Sequence, residues 1–285
     1  MNDREQNAGR SRTVKVGEVR IGGKNPLVMV AGPCVIESRE MCLDLARALR
    51  RLSRRLDIPF IFKASYDKAN RTSLRSYRGP GLAEGLEILS EVRERVGVPV
   101  VTDVHSEQEV PAAARAVDMI QIPAFLCRQT DLLMAAGESG CAVNVKKGQF
   151  MAPWDMAHVV EKVRSSGNRR ILLTERGASF GYNALVADMR SLPILRRTGC
   201  PVVFDCTHSV QAPGGAGSAT GGDRRWAPVL ARGAVAGGFC DAVFMETHRR
   251  PEQALSDAAN SIPLNELSRL WRQLKVIRDA LAAVR

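Results

Sequence analysis

The chain has 285 residues, of which 45% are hydrophobic and 5% aromatic, and its formal net charge is +11. This length suits one large α/β domain or two ordinary ones, and the hydrophobic fraction is sufficient for a buried core. The positive charge raises the alternative of a nucleic-acid-binding protein. However, the basic residues alternate with apolar and acidic positions on predicted helix faces such as 47–55, and the aromatic platform on which bases stack is lacking. A solvated basic surface and a positive cavity for anionic substrates explain the charge better.

The cysteines and the apolar runs indicate the compartment. Seven cysteines occur at spacings typical of neither a disulfide framework nor a CxxC motif, which favours a reducing environment. No apolar run approaches the ~18 residues that a membrane-spanning helix needs, and the N-terminal segment has no apolar stretch typical of a signal peptide. We therefore expect a cytoplasmic protein that has no membrane partner.

Taken in chain order, the pattern is a repeated alternation of strands and helices. Residues 1–12 are polar and predicted to be disordered, and residues 13–21 alternate around Gly17, which predicts a small hairpin. Short apolar runs then predict strands at 27–31, 58–62, 98–102, 119–122, 142–145, 171–174, 202–204 and 242–245. Helical periodicity follows each of them, at 39–56, 82–96, 107–116, 130–138, 154–165, 184–197, 225–236 and 263–283.

Eight such β/α units in roughly 250 residues predict a (β/α)8 TIM barrel, an α/β fold. Because no linker separates the units, residues 13–285 are expected to form a single catalytic domain. A doubly wound open sheet is the structural alternative, but no GxGxxG follows the first strand. The N-terminal hairpin is expected to cap the bottom of the barrel.

Polar side chains follow every predicted strand, at the end of the barrel where active sites are built. They are Cys34, Lys63, Asp103 with His105, Gln121, Lys146 with Lys147, Glu175 with Arg176, Asp205 with His208, and Glu246 with His248. The loops at the opposite ends of the strands look ordinary. We therefore expect the eight strand ends to surround one functional cavity.

Many of these residues are cationic. The segment 60–73, FIFKASYDKANRTS, changes from an apolar strand to a polar loop at Lys63. Such closely packed donors suit phosphate or carboxylate ligands, although a solvated basic loop is the alternative. The full cationic set is Lys63, Lys68, Arg71, Lys146 and Arg176, with Asn70 and Gln121 as neutral partners. Five positive charges around one cavity require ligands with several negative charges. Lys146 also fits a Schiff-base lysine, with Lys147 helping to lower its pKa.

A second set of residues suits a metal ion. Cys34, His208 and Glu246 follow the first, seventh and eighth strands, which are neighbours where a barrel closes. Thiolate, imidazole and carboxylate are ligands of transition metals, and Asp257 can add a fourth ligand from the loop after the last strand. The alternative is a cysteine that merely fills space in the core and a solvated histidine.

Several longer motifs carry a resemblance to a known family. They are AGPCVIES, FKASYDKANRTS, SYRGPGL, TDVH, IQIPAFLCRQTDLL, NVKKGQF, ERGASFGYN, DCTHSVQ, PGGAGSATGG, and METH followed by ALSDA. On these motifs, between about 28 and 263, the chain resembles the 3-deoxy-D-manno-octulosonate 8-phosphate synthases. That family condenses phosphoenolpyruvate, D-arabinose 5-phosphate and water into 3-deoxy-D-manno-octulosonate 8-phosphate and phosphate, a step of lipopolysaccharide biosynthesis.

The resemblance implies roles for individual residues. Phosphoenolpyruvate is expected to bind Lys68, Gln121, Lys146 and Arg176. Arabinose 5-phosphate is expected to bind Asn70, Arg71, Thr72 and, from a neighbouring subunit, Arg128. The same cavity is expected to contain Lys63, Ser65, Asp103 and His105. The implied catalytic residues are Lys68, Asp103, His105, Lys146, His208 and Asp257. A residue donated by a neighbour implies a homo-oligomer, which in this family is a tetramer.

The family has two branches, and the residues of this chain resemble one of them. One branch holds a divalent metal ion on Cys, His, Glu and Asp, whereas the other has Asn in place of the Cys and needs no metal. The chain has all four ligands, Cys34, His208, Glu246 and Asp257. One Zn, Fe, Mn or Co ion per subunit is therefore expected. Gly148 and Ala184 depart from the family pattern, but neither departure removes a charge.

Two other activities remain alternatives at this point. The related synthase that uses erythrose 4-phosphate, 3-deoxy-D-arabino-heptulosonate 7-phosphate synthase, typically has Pro where Asn70 precedes Arg71. The KANR sequence of this chain therefore favours the five-carbon sugar. A Schiff-base aldolase acting through Lys146 is the second alternative.

Overall fold

The computed structural model describes residues 11–71, 73–215 and 221–284 of the chain. The strands in this part are β1 Val14–Val16, β2 Val19–Ile21, β3 Val28–Gly32, β4 Phe60–Lys63, β5 Val100–Asp103, β6 Met119–Ile122, β7 Ala142–Lys146, β8 Ile171–Glu175, β9 Ala178–Ser179, β10 Leu185–Val186, β11 Val202–Asp205, β12 Gln211–Ala212, β13 Gly221–Gly222, β14 Ala242–His248 and β15 Ile262–Pro263.

Eight of these strands form a closed parallel sheet. Each of β3, β4, β5, β6, β7, β8 and β11 pairs with the next, and β14 pairs with both β11 and β3. All residues of β3 to β8 and of β11 are buried. This burial is typical of parallel strands that are covered by helices outside and filled by side chains inside. The predicted TIM barrel is therefore confirmed, and the doubly wound open sheet is wrong.

The α-helices lie between the strands of the barrel. They are α1 Arg39–Leu56, α2 Leu82–Glu91, α3 Val110–Ala116, α4 Thr130–Glu138, α5 Met156–Ser165, α6 Ser191–Arg196, α7 Ala227–Ala236 and α8 Leu264–Ala283. Residues Val92–Val96 continue α2 as a π-helix, and short 3-10 turns precede α3, α5 and α7. Among the described helices, none has the length and the apolar character needed to cross a membrane.

One predicted helix is wrong in its first half. The helix predicted at 184–197 is reduced to α6, and the residues before it form the antiparallel ribbon β9–β10. Gly181 and Asn183, just before the predicted helix, have φ values of 70° and 53°, left-handed conformations typical of a tight turn. This turn brings Leu185 and Val186, within the predicted helix, into the ribbon. The backbone N–H of Phe180 also donates to the carbonyl of Ala184 at 3.0 Å, which closes the turn of the ribbon.

The N-terminal hairpin closes the bottom of the barrel, as predicted. Strands β1 and β2 pair antiparallel, with Val14 opposite Ile21. Both side chains are buried in one apolar cluster with barrel residues such as Val28 and Ala142, which begin β3 and β7. Burial of this apolar surface holds the hairpin against the amino ends of the strands.

Two residues of the predicted disordered tail are fixed to the barrel. Residues 1–10 lie outside the described part, but Ser11 and Arg12 have defined partners. The Ser11 hydroxyl donates to Asp241 at 3.1 Å, and the backbone N–H of Arg12 donates to the carbonyl of Gly199 at 2.9 Å. The tail is therefore bound to the barrel bottom from Ser11 onward.

Asp241 is also part of a buried ion pair. Its Oδ2 lies 2.8 Å from Arg196 Nη2, and the side chains are 1% and 3% exposed. Removing one partner of such a pair leaves an uncompensated buried charge. We therefore expect Arg196→Met to lower the free energy of unfolding by about 3–5 kcal/mol in chemical denaturation.

The neighbouring Arg197 provides a matched control for this prediction, because its side chain is exposed. Arg197→Met should change the free energy of unfolding by no more than about 0.5 kcal/mol. Equal effects of the two substitutions would contradict a structural role of the Arg196–Asp241 pair.

Candidate active site

A cavity of about 580 Å³ opens at the carboxyl ends of the barrel strands. The residues predicted from the sequence that line it are Lys63, Lys68, Asn70, Arg71, Asp103, His105, Gln121, Lys146, Arg176, His208 and Asp257. Most of them are far apart in the chain, and only closure of the barrel makes them neighbours. Residues at or after the ends of β4 to β8 and β11, and in the loop after β14, therefore surround one cavity. Cys34, Glu175 and Glu246, also expected there, are not part of its lining, and the function of the cavity stays a prediction.

Three residues predicted to bind substrate are not part of this lining. Thr72 lies outside the described residues. Ser65 is fully buried and donates a hydrogen bond to Asp103, so it supports the cavity wall from behind. Arg128 is exposed on the surface and does not line the cavity of its own chain. Its contribution to a neighbouring subunit stays a prediction.

The four predicted metal ligands come together at one side of the cavity. The ligand atoms of Cys34, Glu246 and Asp257 all lie within 4.8 Å of one another. His208 completes the group, since its Nε2 is 3.5 Å from Glu246 Oε1 and 3.7 Å from Asp257 Oδ2. Pairing of β14 with both β3 and β11 causes this convergence, because Cys34 and His208 follow β3 and β11, and Glu246 lies in β14 opposite the last residue of β3.

Several features of this group fit a divalent cation. Glu246 is fully buried, yet its Oε2 has no hydrogen-bond partner among the described residues. His208 Nδ1 lies 2.7 Å from Asp205 Oδ2, a carboxylate placed beside the ring nitrogen that faces away from the group, although the pair lacks hydrogen-bond geometry. Burial, followed by the charges of Asp257 and Glu246, raises the pKa of the Cys34 thiol well above its usual value. A bound cation would favour the thiolate instead.

Two lysines partly neutralise the acids of this group. Lys63 Nζ is 3.0 Å from Glu246 Oε1 and donates to the Cys34 carbonyl at 2.9 Å. Lys68 Nζ is 3.8 Å from the same Glu246 oxygen. Burial alone would raise the pKa of Glu246, but His208, Lys63 and Lys68 hold that pKa well below its usual value. Glu246 is therefore a carboxylate despite its burial.

Lys146 lies next to the metal-ligand group. Its Nζ is 2.6 Å from Asp205 Oδ2 and 3.9 Å from the centre of the Phe244 ring. Burial lowers the pKa of Lys146; Asp205 opposes this effect and the charge of Lys63 adds to it. Lys147 was predicted to help lower the pKa of Lys146. Its ammonium is instead buried 3.5 Å from Glu175.

Arg176 has an unused donor at the cavity. Its Nη2 donates to Gln211 Oε1 at 2.6 Å, whereas Nη1 is buried and has no hydrogen-bond partner among the described residues. An unpaired N–H group in a buried guanidinium costs free energy, so an anion in the cavity is the expected partner of Nη1. Gln211 Nε2 in turn donates to Asp257 Oδ2 at 3.3 Å. The anion site and the metal-ligand group are thus connected by one amide.

A hydrogen-bonded chain beneath the cavity orients Gln121. Its Oε1 accepts from Asn144 Nδ2 at 3.2 Å, and Asn144 Oδ1 accepts from the Thr174 hydroxyl at 2.7 Å. Because the acceptor end of the Gln121 amide is occupied, its donor end is left for a ligand. These donors suit the oxygen atoms of a phosphate or carboxylate.

The loop after β4 forms the outer wall. Arg71 Nε donates to the Tyr77 carbonyl at 3.0 Å, and its Nη2 donates to the Leu255 carbonyl at 3.3 Å. Asn70 beside it is exposed. Neither Gly148 nor Ala184, the two departures from the family pattern, lines the cavity.

Three residues of the site were not predicted from the sequence. Gln211 and Ser256 line the cavity, and Asn144 supports Gln121 from below. Ser256 Oγ lies 2.7 Å from Cys34 Sγ. The only signal for any of these uncharged residues was its place in or beside a quoted motif: DCTHSVQ, ALSDA and NVKKGQF.

Comparisons with known proteins identify the family of the chain. The model of the DAHP synthetase I family matches residues 4–282. A protein of Geobacter metallireducens is 59% identical over 271 residues, which cover 95% of this chain and 99% of the relative. A relative from Granulibacter bethesdensis is 58% identical over 275 residues, which cover 96% of this chain and 97% of the relative. One from Geotalea daltonii is 57% identical over 270 residues, which cover 95% of this chain and 98% of the relative. Each is named 2-dehydro-3-deoxyphosphooctonate aldolase.

Proposed function

Because the chain belongs to the DAHP synthetase I family, we propose that it condenses phosphoenolpyruvate, D-arabinose 5-phosphate and water into 3-deoxy-D-manno-octulosonate 8-phosphate and phosphate. The relatives that match along their whole length are named for this octulosonate phosphate, in agreement with the resemblance of the sequence. The observation that carries the proposal is a single cavity where donors for two phosphorylated substrates lie beside four metal-ligand side chains. The pathway implied is lipopolysaccharide biosynthesis.

The charges of the cavity support two anionic substrates. Lys63, Lys68 and Lys146 each face a buried carboxylate, within 3.0, 3.8 and 2.6 Å. Arg71 and Arg176 form no ion pair with an acid in the described part of the chain. The positive charges of these two guanidinium groups are therefore available to ligands. The paired N–H donors of Arg match the geometry of phosphate and carboxylate oxygens.

We assign phosphoenolpyruvate to the deeper side chains and the sugar phosphate to the outer ones. Lys68, Gln121, Lys146 and Arg176 would hold phosphoenolpyruvate, while Asn70, Arg71 and Thr72 would hold arabinose 5-phosphate. The methylene carbon of phosphoenolpyruvate then attacks the aldehyde carbon, water adds to the enol-ether carbon, and phosphate leaves with cleavage of the C–O bond. Holding both substrates in near-attack geometry supplies a large part of the rate gain.

The proposed metal site belongs to the metal-dependent branch of the family. Cys34, His208, Glu246 and Asp257 would hold one divalent Zn, Fe, Mn or Co ion per subunit. When bound, such an ion polarises the aldehyde or orients the water. Asp205 holds the His208 ring from the other side, so that Nε2 faces the group.

Lys146 is better suited to binding an anion than to forming a Schiff base. A Schiff-base lysine must lose its proton, and burial lowers the pKa of Lys146 in that direction. The ion pair with Asp205 at 2.6 Å opposes this loss and holds the amine toward a carboxylate, which suits an anion-binding ammonium group. Borohydride treatment in the presence of substrate should leave Lys146 unlabelled in mass spectrometry. A reduced adduct on Lys146 would refute the proposed mechanism.

Measurement of phosphate release from phosphoenolpyruvate with each aldose phosphate tests the proposal directly. We expect turnover with arabinose 5-phosphate to exceed turnover with erythrose 4-phosphate. Asn70→Ala should lower kcat/KM for arabinose 5-phosphate about tenfold, the value of a lost hydrogen bond to a phosphorylated sugar, and leave the KM for phosphoenolpyruvate nearly unchanged. Preference of the wild-type chain for erythrose 4-phosphate would refute the choice of sugar.

A homo-oligomer, by family a tetramer, is also part of the proposal. The aromatic side chains of Phe125, Phe150 and Trp154 are exposed in the isolated chain, at 53%, 58% and 65%. Phe125 follows β6, as Arg128 does, and the other two follow the neighbouring strand β7. Such exposed aromatic side chains favour a protein interface. Light scattering should give the mass of a tetramer. The proposed location is the cytoplasm, which the seven free cysteines support.

A further inference from the structure

The imidazole of His105, which lines the cavity, lies between two carboxylates. Its Nε2 is 3.3 Å from Asp103 Oδ2 and its Nδ1 is 3.4 Å from Glu109 Oε2. Asp103 ends β5, and Glu109 ends the short 3-10 turn that follows. Both ring nitrogens of His105 therefore face a negative charge.

Both carboxylates are themselves held in place. Glu109 Oε2 accepts hydrogen bonds from the Tyr66 hydroxyl at 2.6 Å and from the His105 backbone N–H at 2.7 Å. The Tyr66 ring packs edge-on against the imidazole, with the ring centres 5.8 Å apart. Ser65 donates to Asp103 from the strand side. The His105 ring is thus confined on three sides by groups that do not depend on a ligand.

This arrangement favours one protonation state of His105. A neutral imidazole has one donor and one acceptor nitrogen. The lone pair of the acceptor nitrogen would then face one of the two carboxylates, which is unfavourable. Nδ1 makes no hydrogen bond with the described residues, so Glu109 acts on the ring through its charge alone. Only the imidazolium presents positive charge to both carboxylates. The charged groups around the ring are Asp103, Glu109 and, further away, Asp67, while Lys63 and Lys68 act on Asp103.

The balance of these effects has a definite sign. Burial lowers the pKa of His105, but the hydrogen bond and charge of Asp103, followed by the charge of Glu109, raise it above its ordinary value. Burial alone would raise the pKa of Asp103, which the hydrogen bond from His105 and the charge of Lys68 instead hold well below its usual value. The protonated His105 therefore stabilises the folded state in full below the pKa of the unfolded chain, about 6.5. This stabilisation is lost as the pH rises through the higher pKa of His105 in the folded state.

We propose that Glu109 is a positioning residue that holds His105 as an imidazolium at neutral pH, giving the cavity a sixth fixed cation on the wall after β5. The ligand class that this wall accepts is an anionic or polarised oxygen, such as that of a phosphate or an aldehyde. Only the identity of that ligand rests on the proposed function. The protonation state of His105 follows from the two carboxylates.

Proton NMR titration of the four histidines tests this proposal, with His105→Gln to assign the resonance. His105 in the wild-type chain should remain protonated above pH 7. Glu109→Gln keeps an acceptor for Tyr66 and for the backbone but removes the charge. The His105 midpoint should then move to lower pH, and the alkaline limb of the kcat/KM profile should move with it. At pH 8, kcat/KM should fall about tenfold to a hundredfold.

Glu161→Gln is the matched control. Glu161 lies 3.4 Å from His158 Nδ1, the same distance as in the Glu109 pair, but both side chains are more than 70% exposed, at 73% and 77%. This control should move neither the His105 midpoint nor the kcat/KM profile.

Two outcomes would overturn the proposal. One is a His105 midpoint that does not change in Glu109→Gln, even if activity falls, because structural damage alone lowers activity without moving the midpoint. The other is a His105 that is neutral at pH 7 in the wild-type chain, a result that requires no variant to fold. Neither readout depends on which sugar phosphate the enzyme uses, so failure of the proposed function is detected separately.

Discussion

Exhaustive removal of divalent metal ions should lower kcat/KM for phosphate release roughly a thousandfold, since the ion is expected to contribute several kcal/mol of transition-state stabilisation. The physical reason lies in the ligand group. Cys34, Glu246 and Asp257 converge within 4.8 Å, and Glu246 Oε2 is buried without a hydrogen bond from a described residue. Readdition of each candidate metal ion should restore activity, and the metal content should approach one ion per chain.

Cys34→Asn tests the branch assignment within the same experiment. The amide cannot supply a thiolate, so this variant should bind metal more weakly, and its remaining activity should be less sensitive to a chelator. Cys42→Ala is the control, because Cys42 is also fully buried but lies in α1, away from the metal-ligand group. Wild-type activity that survives complete metal removal would rule out metal dependence.

Lys146→Met is expected to lower kcat by about a hundredfold to a thousandfold, the usual cost of removing one preorganised donor to developing charge. Lys146 is 6% exposed, and its ammonium lies between Asp205 and the cavity. The substitution removes a positive charge near the proposed phosphoenolpyruvate site. It also leaves Asp205 without its lysine partner, with His208 Nδ1 2.7 Å from its Oδ2.

A control separates the site charge of Lys146 from the net charge of the protein. Lys24→Met removes an exposed lysine from the loop between the hairpin and β3, at the opposite end of the barrel. It should leave kcat unchanged. Circular dichroism of Lys146→Met should show a folded barrel, and a folded variant with wild-type kcat would contradict the assigned role.

The sequence predicted the fold well because the signals were local and repeated. Each barrel strand is a short apolar run, and α1 and α4 begin and end at the predicted residues. The ribbon β9–β10 was missed because its turn depends on left-handed backbone conformations at Gly181 and Asn183, which precede the predicted helix and which the side-chain pattern of 184–197 does not reveal. Turn geometry overrode side-chain periodicity at that position.

The site was predictable where its residues carry charge or bind metals. Lys63, Glu246 and His208 stand out because such side chains are rarely buried without a function. Gln211 and Asn144 were missed because an uncharged amide is equally common on a loop or in a core. The orientation of Lys147 toward Glu175, away from the cavity, could not be predicted either. Adjacent side chains along an extended chain point to opposite faces, and the sequence does not show whether Lys146 or Lys147 faces the cavity.

The hairpin at the bottom of the barrel has a kinetic consequence. With β1 and β2 sealing the amino ends of the strands, the mouth is the route by which both substrates enter. Gln121 and Arg176 are 3% and 5% exposed, whereas Asn70 is exposed at the rim. A sugar phosphate that arrived first would obstruct the path to the deeper donors. We therefore expect phosphoenolpyruvate to bind before the sugar phosphate in a barrel that is closed at one end.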